Sequence, residues 1–219
     1  MPTRVFGEPI KRAEDPRLLT GHGRYVDDID LPGQLHVAFL RSPLAHGRIR
    51  SIDVTAARAM PGVVAVWTYQ DIGPCQRRMP LLIPHPDLTH PYTRYALAKD
   101  EVNHVGEPVA MVIAESRYVA EDALEAIVVD WEELPPVVDI ERAIQPGAPL
   151  VHEELGTNVA AHYVGIVGDP DQAFARAAHV FRERLVIERS AGMPIETRAV
   201  LAVWKDDEEL LEVWDTTQA

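Results

Sequence analysis

Apolar residues fall along this chain in short runs, some alternating with polar or small residues and some continuous, broken by proline and glycine. Leu35 to Leu40 alternates in this way and predicts a strand, and Ile49 to Val54 predicts a second. Val63 to Trp67 is a β-branched run and reads as a buried strand; Val109 to Ala114 and Ile127 to Trp131 add two more. Between the last two, Val119, Ala120, Ala123, Leu124 and Ala126 fall at helical spacing, which predicts a helix from Ser116 to Ala126. A shorter helix is expected from Thr55 to Met60, with Thr55 as its N-cap and Pro61-Gly62 as its stop.

The remainder is less regular. Residues 1–34 read as an extended arm with turns at Asp15-Pro16, Thr20-Gly21-His22-Gly23 and Leu31-Pro32-Gly33. Residues 70–100 carry Pro74, Pro80, Pro84, Pro86 and Pro91 and are expected to form a long ordered loop. Gln145-Pro146-Gly147-Ala148-Pro149 marks a linker. Beyond it, Asp169-Pro170 opens a helix to about Ala178, and Val180 to Glu188 alternates as a half-exposed strand. Ala199–Trp204 and Leu210–Trp214 form a hairpin through the charged turn Lys205 to Glu209. The fold class is therefore α/β with mixed (α+β) sheets, divided into two modules at the 145–149 linker. The hairpin is expected to expose an apolar face around Val200, Leu201, Val203, Leu211 and Val213, for a partner or an oligomer contact.

Composition narrows the function classes. The chain has 219 residues, 47% of them hydrophobic, as in ordinary globular proteins. Its formal charge of −13 repels phosphate, which disfavours nucleic acid and anionic lipid as partners. A single cysteine, Cys75, makes neither an internal disulfide nor an iron–sulfur or zinc site. Without a long apolar run, a cytoplasmic location is expected and membrane attachment is not.

Four ordered motifs carry a resemblance. They are Arg12-Ala13-Glu14-Asp15-Pro16-Arg17-Leu18-Leu19-Thr20-Gly21 with Gly23 to Asp28; Phe39-Leu40-Arg41-Ser42-Pro43 with Ala45-His46-Gly47-Arg48-Ile49 and Pro61-Gly62-Val63; Val105-Gly106-Glu107-Pro108-Val109-Ala110 with Ala120 to Ala123; and Pro194-Ile195-Glu196-Thr197-Arg198 with Asp215-Thr216-Thr217-Gln218. In this order the chain resembles the molybdopterin-binding large subunits of molybdenum hydroxylases, the group of xanthine dehydrogenase, aldehyde oxidase and carbon monoxide dehydrogenase. The resemblance implies an α/β hammerhead domain over 15–138 and part of a first molybdopterin-binding domain over 139–219. It implies molybdenum–molybdopterin in the assembled enzyme but none held by this chain alone. It also implies partners: the rest of the large subunit or a second molybdopterin-binding chain, and iron–sulfur and FAD subunits. The implied cofactor-binding residue is Gln218, whose neutral amide donates and accepts hydrogen bonds without adding charge. No catalytic residue and no metal ligand is expected within this chain, because the family's catalytic Glu lies further along. The competing reading is an α/β assembly module without cofactor.

Other candidates have plainer readings. Glu196 and Arg198 are expected to form a structural ion pair. His85, His90 and His104, with Asp87, read as a surface loop that meets a partner subunit rather than as metal ligands. His46 reads as a turn or core histidine, Asp206 to Glu209 as a solvated hairpin tip, and Cys75 as a plain thiol. An independent hydrolase is disfavoured by the absence of a Gly-x-Ser-x-Gly elbow.

Overall fold

The computed structural model describes residues 6–217. The chain divides into two compact units, one of Met1–Gln34 with Phe181–Ala219 and one of Leu35–Val180.

In the larger unit, β1 (His36–Arg41), β3 (Val63–Thr68) and β5 (Pro108–Ala114) form an antiparallel sheet in the order β1-β5-β3. Alternation divides the central strand. Ala110, Val112 and Ala114 face α3 (Arg117–Glu125) and are fully buried against Ala120 and Ala123. Small residues on the helix let its backbone approach the sheet closely. The edge position of β3 corrects the expectation of a buried strand. Val66 is buried, but Val64 is 56% exposed and Trp67, on the open face of the sheet, is 40% exposed; among the described residues no strand pairs beyond β3.

Ser116 caps α3 as its sequence suggests, accepting a hydrogen bond from the Val119 N–H at 3.2 Å. Ser116→Ala is expected to cost about 1 kcal/mol and lower the melting temperature by roughly 2–4 °C; Ser116→Asp should restore it, as calorimetry would show. Thr55 is not a cap. It is the first residue of α2 (Thr55–Arg58), and its N–H is taken by Asp53 Oδ1 at 2.9 Å. The Asp side chain two residues earlier supplies the oxygen that the Thr was expected to give.

A second sheet has the order β4-β2-β6, from β4 (Glu101–Val102), β2 (Gly47–Asp53) and β6 (Val128–Glu133). Val102, Ala98 and Val109 fill its core beside Leu44, Ile49, Ile52 and Trp131. Gly47 is required where β2 passes β6. A Cβ there would stand 2.7 Å from Leu44 Cδ1 and 3.3 Å from the Glu132 carbonyl oxygen. Past the sheets lie α4 (Ile140–Ala143), capped by Asp139, and α5 (Pro170–Arg176), capped by Asp169.

In the smaller unit, β7 (Val200–Lys205) and β8 (Leu210–Asp215) form the expected hairpin. Its charged turn is a solvated tip, with Lys205 held by Glu212 at 2.7 Å. The register redraws the apolar face. Val200, Ala202 and Trp204 share the exposed side with Leu211 and Val213, whereas Leu201 and Val203 lie half-buried on the other. The arm also differs from expectation. Asp15-Pro16 begins a one-turn helix, α1 (Asp15–Leu19), since Pro in a first turn gives up no needed N–H. Val180 to Glu188 makes no ladder and is exposed. Alternation alone does not hold a strand when no neighbour takes its hydrogen bonds.

Candidate functional site

Two of the sequence motifs meet in space. Ser42 is buried; its N–H donates to the Glu107 carbonyl at 2.9 Å, and its own carbonyl accepts from the Gly106 N–H at 2.8 Å. Arg41 donates to the Gly106 carbonyl at 2.9 Å. Gly106 sits at φ +87°, which favours glycine. The Arg41-Ser42-Pro43 turn is thus stitched to the Val105-Gly106-Glu107-Pro108 turn.

Behind this seam lies a polar network. Glu107, only 4% exposed, accepts from the Asn103 N–H at 2.7 Å and stands 3.4 Å from His104 Nδ1. His46, 6% exposed, has Nδ1 2.8 Å from the Pro135 carbonyl and Nε2 3.1 Å from Glu101. The carbonyl only accepts, so Nδ1 carries a proton. With its amide turned to suit its neighbours, Asn103 donates to the Val151 carbonyl at 2.7 Å and to Glu101 at 3.2 Å. Both nitrogens of His46 are engaged, as befits a core histidine, and neither is presented to a substrate.

The network opens into a cleft of about 480 Å³ whose lining includes Arg78, Tyr92, Lys99, His104, Glu107 and His152. Burial first, then the Arg78 guanidinium, hold the His152 imidazole below its ordinary pKa. A second, apolar groove of about 570 Å³ lies over the open face of the first sheet. There Phe39, Met111 and Trp67 form one cross-strand row, and exposed Cys75 lies at the edge.

The remaining sequence candidates separate. His85 lies 3.8 Å from Asp87, while His90 pairs with Thr89. Among the described residues, no three His, Cys, Asp or Glu side chains converge as metal ligands. Glu196 accepts from the Val26 N–H at 3.2 Å, and the expected ion pair with Arg198 is not among those of the described residues. The arm's backbone takes the carboxylate instead. Gln218 lies outside the described residues. The strand leading to it is fixed at Thr216, whose N–H donates to the Ala199 carbonyl at 3.2 Å and whose hydroxyl accepts from the Ala199 N–H at 2.9 Å. Sequence reading missed Glu101 and His152, which carry no local motif of their own, and it met Glu107 only as part of the Val105 to Ala110 motif, without its place in this network.

Residues 20–135 match the model of the aldehyde oxidase and xanthine dehydrogenase a/b hammerhead domain. The chain belongs to this family. Residues 151–219 match the molybdopterin cofactor-binding domain. The nicotine 6-hydroxylase large subunit of Paenarthrobacter nicotinovorans is 42% identical over 98% of this chain and 26% of its own length. The carbon monoxide dehydrogenase large chain of Afipia carboxidovorans is 38% identical over 95% of this chain and 27% of its own. Among solved structures, quinoline 2-oxidoreductase from Pseudomonas putida 86 superposes with a TM-score of 0.84 at 39% identity, over 95% of this chain and 26% of that one. The chain thus spans about a quarter of the length of these hammerhead-family relatives. Among the described residues, no helix is long and apolar enough to cross a membrane.

Proposed function

We propose that this chain supplies the scaffold and one wall of the molybdenum–molybdopterin cavity in a cytoplasmic molybdenum hydroxylase, acting on a small aldehyde, N-heterocycle or carbon monoxide. The observation that carries the reading is the succession of the two domain matches, hammerhead then cofactor-binding, along one chain. The division we favour is an arm 1–14, a hammerhead domain 15–138 and a partial cofactor-binding domain 139–219. Relatives named as large subunits, and one named as a subunit of a dehydrogenase complex, support the assignment of further partners. These are the polypeptide that completes the cavity and the FAD and iron–sulfur subunits.

The donor chemistry fits this role. We assign Gln218 to the cofactor, as the resemblance implies; in sequence it follows two residues after Thr216, whose hydroxyl accepts from the Ala199 N–H. Its amide donates toward an oxygen on one side and accepts on the other, and it leaves the cavity's charge unchanged. The molybdenum–pterin group supplies the redox chemistry when bound; the chain positions and walls it.

Purified from its own host through a tag on this chain, the assembly is expected to contain molybdenum, pterin, flavin and iron. Gln218→Ala should lower its turnover or its molybdenum content by about 10–100-fold. A tagged chain isolated with none of these groups overturns the reading and favours the cofactor-free assembly module.

A further inference from the structure

The proline-rich loop docks along a later stretch of its own chain. Leu88 bridges Ala161, and the His90 N–H donates to the Ala160 carbonyl at 3.2 Å. His85 packs edge-on against Tyr163, with ring centroids 4.9 Å apart. The base of the loop is closed where Arg78 bridges Tyr95.

At the near end of this contact stands a stack of four side chains. The Arg78 guanidinium lies 3.4 Å from the Tyr92 ring centroid and 4.7 Å from that of Tyr95. It donates to the Thr93 carbonyl and stands 3.9 Å from Glu154. The Tyr92 hydroxyl donates to the same Glu154. The Tyr92 ring lies 4.3 Å from the ring of His152. Asn158 fixes the far side of the joint, accepting from the Val151 N–H at 2.9 Å and donating to the Pro149 carbonyl at 2.8 Å.

We propose that Arg78, Tyr92, His152 and Glu154 form an acid-released latch, which clamps the proline-rich loop onto residues 151–163 at neutral pH and opens when His152 takes up a proton. A neutral imidazole lies comfortably against Tyr92. An imidazolium in the same place is a second cation beside Arg78, in a site half withdrawn from water. Arg78 from the loop, Glu101 from β4, Glu107 before β5 and His46 before β2 act on His152, and Tyr92 packs against its ring; Glu154, engaged by the Tyr92 hydroxyl, lines the same cleft, as do Arg94, Lys99, Asp100 and His104. Glu101 and Glu107 favour the proton, but burial, Arg78 and His46 oppose it, and the balance is unfavourable. Glu101 and Glu107 are also held by Asn103.

The sign follows from linkage. In the open form His152 titrates near the ordinary value of about 6.5; in the clamped form it resists protonation until a lower pH. Well above that value, from about pH 7.5 upward, both forms are essentially neutral and the latch holds fully. As pH falls below that, the open form binds the proton the clamped form refuses, so acid favours opening, by up to about tenfold per pH unit within the window. The clamp joins the segment that matches the hammerhead model to the first residues of the segment that matches the cofactor-binding model. Its release would therefore free the joint between them.

Hydrogen exchange read by mass spectrometry on the full chain tests this, with rates corrected for the intrinsic pH dependence. Peptides covering 85–93 and 150–163 should lose protection severalfold between pH 7.5 and pH 5.5, while peptides of β5 and α3 keep theirs. His152→Phe keeps a ring against Tyr92 but cannot titrate, so it should hold its protection at pH 5.5. His152→Gln, which cannot titrate either, should show exchange at 150–163 that no longer depends on pH, whatever its level. Protection at 150–163 that ignores pH in the wild type overturns the latch, as does an acid loss that persists in both variants.

Discussion

Val112→Asp is expected to abolish folding of the Leu35–Val180 unit. Val112 is fully buried at the centre of β5, between two paired strands and beneath Ala120 and Ala123. A carboxylate there meets only apolar groups. An uncompensated buried charge costs about 3–5 kcal/mol, and losing the valine's own burial adds about 1.5 kcal/mol. The sum rivals the whole stability of a typical domain, about 5–15 kcal/mol. The variant should therefore be recovered insoluble or without a cooperative melting transition. Val112→Ala keeps the site apolar and should melt only a few degrees low. Val64→Asp, on the solvent side of the edge strand, should be nearly silent. A Val112→Asp protein that melts like the wild type would contradict the burial of this strand.

His46→Ala is expected to destabilise the same unit by roughly 2–3 kcal/mol. The substitution strands the Pro135 carbonyl, which now accepts from Nδ1 at 2.8 Å, and leaves a void where the ring was. Glu101 suffers less, because its side chain is 27% exposed and Asn103 also reaches it. The urea midpoint should fall by about 1 M. His46→Asn places an amide nitrogen near the position of Nδ1 and should recover about half of the loss. Equal midpoints for all three proteins would show that the imidazole is not a structural donor.

The sequence patterns that proved reliable are those with a local cause. The alternation in 35–40, the apolar run 109–114, the Ser116 cap and the charged turn of the last hairpin each depend on residues a few positions apart, and each appears where expected. Failures come where the deciding partner is distant. Val180 to Glu188 has the alternation of a strand but pairs with no strand among the described residues, and β4 is two residues long, too short to leave a pattern. His46 was legible as a core histidine, but its partner Glu101 lies on another strand with nothing local to announce it. Likewise the proline-rich loop reads as irregular, and its docking on 151–163 depends on backbone bonds that composition does not encode. The resemblance, which rests on turns such as Arg41-Ser42-Pro43 and Val105-Gly106-Glu107-Pro108, reached further than periodicity did. Those residues are stitched to each other and leave little room for substitution.

The placement of β5 between β1 and β3 also bears on synthesis at the ribosome. Both flanking strands are made before the one that joins them, and at ~5–20 residues per second β1 waits on the order of 4–15 s for its mate. Throughout that interval two apolar ribbons, with Phe39 on one and Trp67 on the other, are unpaired in the nascent chain. A chaperone that binds extended hydrophobic peptide would find its substrate there, and a translational pause placed before β5 would prolong the exposure.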